Sequence, residues 1–231
     1  MAYGKRTDGR VLLFNSASHP LHPWSYHSFS WGGMEFNRLE QCLGYFKAVD
    51  FKLGEEVKKQ VMAAQTGWDV AKALKDQEYP SDADWSGWGI WKVTNLMGIL
   101  RQMAIESPRF RKALMTVREP AIGFCSKDRS LGTGMDALPT MKKNPELYKP
   151  ANWEGRNYLG QYLVQLRAEL QILEKNASSD KQPEVAKELE KRPKVKKQTD
   201  EEVVPLKRQK TKTQMVPTQP LPDNDDRLPE L

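Results

Sequence analysis

The chain has 231 residues, with 36 Lys plus Arg against 30 Asp plus Glu, and a formal net charge of +6. No run of about 18 apolar residues exists and the N-terminal apolar stretch is short, so neither a membrane span nor a secretory leader is expected. Two cysteines, Cys42 and Cys125, cannot build a disulfide framework or a four-cysteine zinc site, and a reduced, intracellular, soluble protein is the expectation.

The composition changes abruptly near residue 177. All 21 aromatics precede that position, while 7 of the 15 prolines follow it. A segment without aromatics cannot bury enough apolar surface to offset its ordering entropy. Residues 177–231 therefore read as a disordered, charged tail. Residues 1–176 suit one domain.

In chain order, 11–14 reads as a short strand. His19, Pro20, His22 and Pro23 mark a loop, because two prolines in four residues break helix and sheet alike. Residues 28–31 and 34–36 flank Gly32 and Gly33, which suits a hairpin. Asn37 is the expected cap of a helix to about Val49, with Glu40 three residues on as in a capping box. Leu39, Cys42, Leu43, Phe46 and Val49 would form its buried stripe. Further helices are expected over 54–64 (Val57, Val61, Met62 inward), 92–104 (Leu96, Ile99, Leu100, Met103) and 108–115 (Phe110, Leu114). The last spans 157–175, with Leu159, Tyr162, Leu163, Leu166, Leu170 and Leu173 inward. Residues 120–153 look mostly irregular, and a loop of that length is often functional. The fold class is thus α+β: a mostly helical single domain with a small N-terminal sheet.

Several residue patterns bear on chemistry. Glu40 and Lys47 lie about two helical turns apart, with Gly44 between them. They are either solvated charges on a polar face or a pair that meets one ligand, with Gly44 admitting it to the backbone. Gly132 and Gly134 form a Gly-x-Gly turn between Asp128 and Asp136. Such a turn holds a phosphate on its backbone N–H groups or is an ordinary tight turn. Trp85, Trp88 and Trp91 spread too widely on a helix to share one pocket, but Trp88 or Trp91 can stack on a base. His19, His22 and His27 have no cysteine or carboxylate beside them in the loop, so no metal site is expected. Cys42 reads as a small buried hydrophobe. In the tail, 191–197 and 207–210 are basic clusters that suit nuclear import or unspecific nucleic-acid contact.

The run from Phe36 to Phe51, with Asn37, Glu40, Gln41, Lys47 and Ala48, resembles the F-N-S-x-E-Q-x-x-x-x-x-K-A-x-x-F signature of the NADAR, or YbiA-like, family. Trp153, Gly155, Asn157, Leu159, Gly160, Leu163 and Arg167 resemble its closing W-x-G-x-N-x-L-G-x-x-L-x-x-x-R motif. Asp128, Gly132 and Gly134 match its D-x-x-W-G-x-G, with Leu131 in place of the tryptophan. The resemblance covers about 14–173. Two further differences stand out: a family glutamate would fall near Gly123 and Phe124, and a Ser-Asn pair near His22 and Pro23.

That resemblance implies a largely helical α+β fold and an N-glycosidase. The substrate would be a ribose N-glycoside, such as ADP-ribose linked to a guanine base or another NAD- or ADP-ribose-derived compound. It implies Glu40 and Lys47 in the active site, Asp128 as a second acid, and Gly155 and Asn157 lining the pocket. No cofactor is implied. The expected partners are ADP-ribosylated nucleic acid or a nucleotide-like small molecule, in cytoplasm or nucleus, with no membrane. The second reading is a degenerate member that binds ADP-ribose or an ADP-ribosylated partner without cleaving it.

Overall fold

The computed structural model describes residues 5–7, 10–135 and 145–179. Strand β1 (Lys5–Thr7) pairs antiparallel with β2 (Val11–Phe14). The hairpin of β3 (Phe29–Trp31) and β4 (Met34–Phe36) turns through Gly32 and Gly33, with φ of +59° and +80°. Two consecutive positive φ values are what a two-residue hairpin of the right twist requires, and glycine adopts them without strain.

Helix α1 (Leu39–Asp50) follows. The residue before it is Arg38, whose side chain makes no capping bond, so the expected Asn37 capping box is absent. Gln41 takes over part of that task. Its Oε1 accepts the Asn37 N–H at 2.7 Å, and its Nε2 donates to the Val61 and Met62 carbonyls at 3.2 and 2.8 Å. Arg38 donates to the Ala64 and Gln65 carbonyls at 3.3 and 2.7 Å. Two side chains of the start of α1 thereby satisfy the open carbonyls at the end of α2 (Glu55–Ala63). Val49, expected inward, is 43% exposed; Gln41, Gly44 and Ala48 are buried instead. The stripe is rotated because α1 packs on two neighbours, α2 and α3 (Gly67–Lys75). Helix α3, which the sequence reading did not expect, opens on a capping box of Thr66 and Asp69.

Helix α4 (Trp85–Glu106) begins seven residues before the expected Lys92, so all three tryptophans lie on it. Asp84 caps it by accepting the Gly87 N–H at 2.7 Å. Helix α5 (Pro108–Met115) matches its expected bounds, with Ser107 as cap and Pro108 in the first turn. Strand β5 (Ala121–Phe124) falls in the segment expected to be irregular. It pairs parallel with β2, Val11 opposite Ala121 and Phe14 opposite Phe124. Short 3₁₀ turns occupy Pro145–Tyr148 and Pro150–Asn152. Helix α6 (Tyr158–Ser179) runs past the expected end at Lys175, and Leu173, expected inward, is 60% exposed. The tail from 180 onward, with both basic clusters, lies outside the described residues.

The fold is α+β and mostly helical, but its strands form two sheets: β1-β2-β5 and the β3-β4 hairpin. Strand β2 is buried along its whole length, because it has core on both faces. Leu12 and Phe14 join the main core with Phe29, Phe36, Leu96, Ile99, Phe110, Ile122, Leu159 and Leu163. Val11 and Leu13 point the other way, with Cys125 and Trp153. A third cluster, Phe51, Val57, Val61, Val70, Leu74 and Trp88, joins α1, α2, α3 and α4. Among the described residues, no helix is long and apolar enough to cross a membrane.

Candidate active site

The parallel β2-β5 pair places the loops that leave both strands at one end. Phe14 leads into the loop carrying His19, His22 and Pro23; Phe124 leads into residues 125–135. Ligands of parallel sheets characteristically bind beyond the carboxyl ends of the strands. Helix α1 starts against the first loop, where the Glu40 N–H donates to the Pro23 carbonyl at 3.1 Å.

Glu40 is partly buried in the first turn of α1. Burial pushes its carboxyl up to about 7, and the nearby Asp128 carboxylate pushes the same way. Lys92 and then Lys47 draw it back down. Four charged groups from three elements therefore share one electrostatic neighbourhood: Glu40 and Lys47 from α1, Lys92 from α4, and Asp128 from the second loop.

Asp128 is held by its own turn. Its Oδ1 accepts the Ser130 and Leu131 N–H groups at 2.7 and 2.8 Å, a local side-chain turn that a short carboxylate favours. Its Oδ2 lies 3.8 Å from Lys92 Nζ. Lys92 is only 5% exposed, so its charge is little screened. Sequence reasoning missed Lys92. One signal was present: Lys92 stands four residues before Leu96, on the same line as the buried stripe Leu96, Ile99 and Met103. A lysine on a buried stripe needs a charged partner.

Lys47 lies two turns along α1, with its ammonium 4.8 Å from the Trp85 ring centre and 5.2 Å from that of Tyr79. Two ring faces favour a cation at that place. Trp85 in turn packs on Phe51 and Tyr79, with centroids 4.5 and 4.9 Å apart. Trp88 and Trp91 stack at 5.2 Å and 14°, and Trp91 lies on Phe46. Trp88 is 3% exposed and belongs to the core; of the two, Trp91 keeps accessible surface. A base-stacking role for Trp88 is therefore replaced by packing.

The glycines do other work than expected. A Cβ on Gly44 would stand 2.7 Å from Val70 Cγ1 and 3.2 Å from Leu74 Cδ1, so this glycine faces α3 and lets two helices approach. It does not open α1 to a ligand. The Gly132 N–H donates to the Asp128 carbonyl at 2.9 Å, so it is not available to a phosphate. A Cβ on Gly155 would fall 2.3 Å from the Gly132 carbonyl oxygen, and one on Gly134 2.7 Å from the Gly155 nitrogen. These three glycines stack one backbone on another, and the Gly155 N–H donates to the Thr133 carbonyl. Asn157, expected to line the pocket, is 3% exposed with φ +50°. Its Oδ1 accepts the Phe124 N–H at 3.0 Å and its Nδ2 donates to the Ile122 carbonyl at 2.8 Å. Both polar ends of that amide serve the open edge of β5. Asp136 lies outside the described residues.

The histidines are structural in the same sense. His19 and His22 accept the Leu21 and Trp24 N–H groups through Nδ1, at 3.2 and 3.0 Å. His27 bridges Ser107 Oγ and the Pro20 carbonyl at 2.9 and 2.6 Å. Burial, with His19 beside it, drives His22 down to about 4, so it is neutral at physiological pH. Burial likewise pushes the Cys42 thiol up, which leaves it a poor nucleophile. Among the described residues no group of three metal-ligating side chains stands together.

No curated protein matches the chain. Among solved structures, the solution structure of the E. coli protein YbiA is similar, with 18% identity and a TM-score of 0.52 over 75% of this chain and 92% of that one. At that identity the likeness is one of fold. The NADAR domain matches residues 8–171, which takes in β2 to β5, the charged cluster around Glu40 and most of α6. The chain belongs to the NADAR family, a family related to N-glycosidases.

Proposed function

We propose that the chain is an N-glycosidase that removes ADP-ribose from a guanine base, or acts on a closely related NAD- or ADP-ribose-derived substrate. The observation that carries this reading is Glu40: a carboxyl lifted to about 7, beside Asp128, Lys92 and Lys47. Breaking a ribose N-glycosidic bond builds positive charge on the sugar as the base departs. A carboxyl that titrates near neutrality is present in both forms there, so it takes a proton from water or stabilises the charged sugar. Asp128, fixed by two N–H groups, is the second acid. Lys47 meets a phosphate or a ribose hydroxyl from its place between two rings, and Lys92 keeps the two carboxyls compatible. Trp91 offers the base a partly exposed ring.

One observation favours the second reading, binding without cleavage. A family carboxylate would fall at Gly123 or Phe124. A Cβ on Gly123 would already lie 2.5 Å from Leu13 Cδ2 and 2.9 Å from the Trp153 ring. Position 123 has no room for a side chain unless Leu13 and Trp153 shift, and position 124 holds the buried ring of Phe124.

The test is release of ADP-ribose from an oligonucleotide carrying ADP-ribosylated guanine. Wild-type protein is expected to release it, and Glu40→Gln to lose about 100-fold or more of that rate. Unchanged turnover in Glu40→Gln refutes the assignment of Glu40. Tight ADP-ribose binding with no release in wild type selects the second reading.

A further inference from the structure

Two cavities lie apart from the residues of the Glu40 cluster. One, of about 380 Å³, is lined by Trp24, Tyr26, Arg38, Trp68 and Arg109 among others. The other, of about 660 Å³, is lined by Arg109, Lys112 and Arg118, with Glu119 as the acidic residue among its walls. Arg109 belongs to both, so the two cavities adjoin. We infer that together they form a binding track for single-stranded nucleic acid.

Exposure and charge carry the inference. Tyr26 and Trp68 are 57% and 47% exposed, although large aromatics normally bury most of their surface. Both line the first cavity together with Trp24, whose ring packs on Gly67. Arg38 is buried beside them, 4% exposed, and its Nε has no hydrogen-bond partner. Arg109, Lys112 and Arg118 are exposed along the second cavity. Exposed rings next to a basic groove are the two parts that unpaired nucleic acid needs: faces on which bases stack, and cations that follow the phosphates. A paired duplex hides its base faces and fits only the second part. The track goes beyond the hydrolase reading, because it needs no cleavable bond.

The test uses the full chain and a fluorescent, unmodified single-stranded oligonucleotide, with affinity read by anisotropy across a salt series. Every variant carries the same tail, so tail contacts cancel in the comparison. Trp68→Ala and Tyr26→Ala are each expected to weaken binding about tenfold, while Trp68→Phe keeps a ring face and retains most of the affinity. Arg109→Gln is expected to reduce the slope of log affinity against log salt by about one. The fully paired duplex is expected to bind more weakly than the single strand. Unchanged affinity in all three weakening variants, or equal affinity for duplex and single strand, overturns the proposal.

Discussion

Glu40 is costly to the fold in its ionised form, and the sign can be followed through pH. Its folded value, about 7, lies above the ordinary 4.5. The folded protein therefore holds that proton more tightly than the unfolded chain. The contribution to stability is full below about 4.5, falls as pH rises through the window to 7, and is lost above it. Glu40→Gln removes the ionisable group. It is expected to raise stability by about 1–3 kcal/mol at pH 8 and to change it little at pH 4.5, by urea denaturation at both values. Gain of stability with loss of turnover is the usual signature of a group kept for function. Lys92 acts on the same group. Lys92→Met removes a cation that draws Glu40 down, so the Glu40 midpoint is expected to move above 7, read from the pH dependence of turnover. A midpoint that stays in place would separate Lys92 from the site.

At the scale of elements, the motif residues divide into those that meet the site and those that join its parts. Asn157 ties α6 to β5 through two buried bonds. Asn157→Ala leaves both strand groups open and is expected to cost about 2–4 kcal/mol in urea denaturation. Gly44 joins α1 to α3. Gly44→Ala forces a methyl group against Val70 and is expected to cost about 1–3 kcal/mol, with activity per folded molecule retained. Lost activity in a fully folded Gly44→Ala protein would restore a ligand-facing role. The family-like spacing of these residues was legible in the sequence, but their division was not. A glycine that admits a ligand and one that admits a helix look alike until the neighbour is known, and Asn157 declares its role only when β5 is beside it.

Across the whole molecule, most helices were legible because their signal is local: α5 needs only a serine cap, a proline and two apolar residues at the right spacing, whereas the short α3 was missed. Strand β5 was not, because its four residues, three of them buried, carry no alternation and owe their place to β2, far away in sequence. Helix α4 was cut short because its aromatics face different neighbours and blur the stripe. The same non-local pairing builds the site. The β2-β5 register brings the Asp128 loop to the Pro23 loop, and α1 and α4 bring in Glu40, Lys47 and Lys92. Glu40 and Lys47 were visible as a pair on one helix, whereas the contact of buried Lys92 with half-buried Asp128 joins a helix to a loop. The protonation of Glu40 in the folded protein is read by a carbon-13 NMR titration of its side-chain carboxyl, assigned with Glu40→Gln. A midpoint near 7, moved upward by Lys92→Met, is expected. A midpoint near 4.5, indifferent to Lys92, would contradict it.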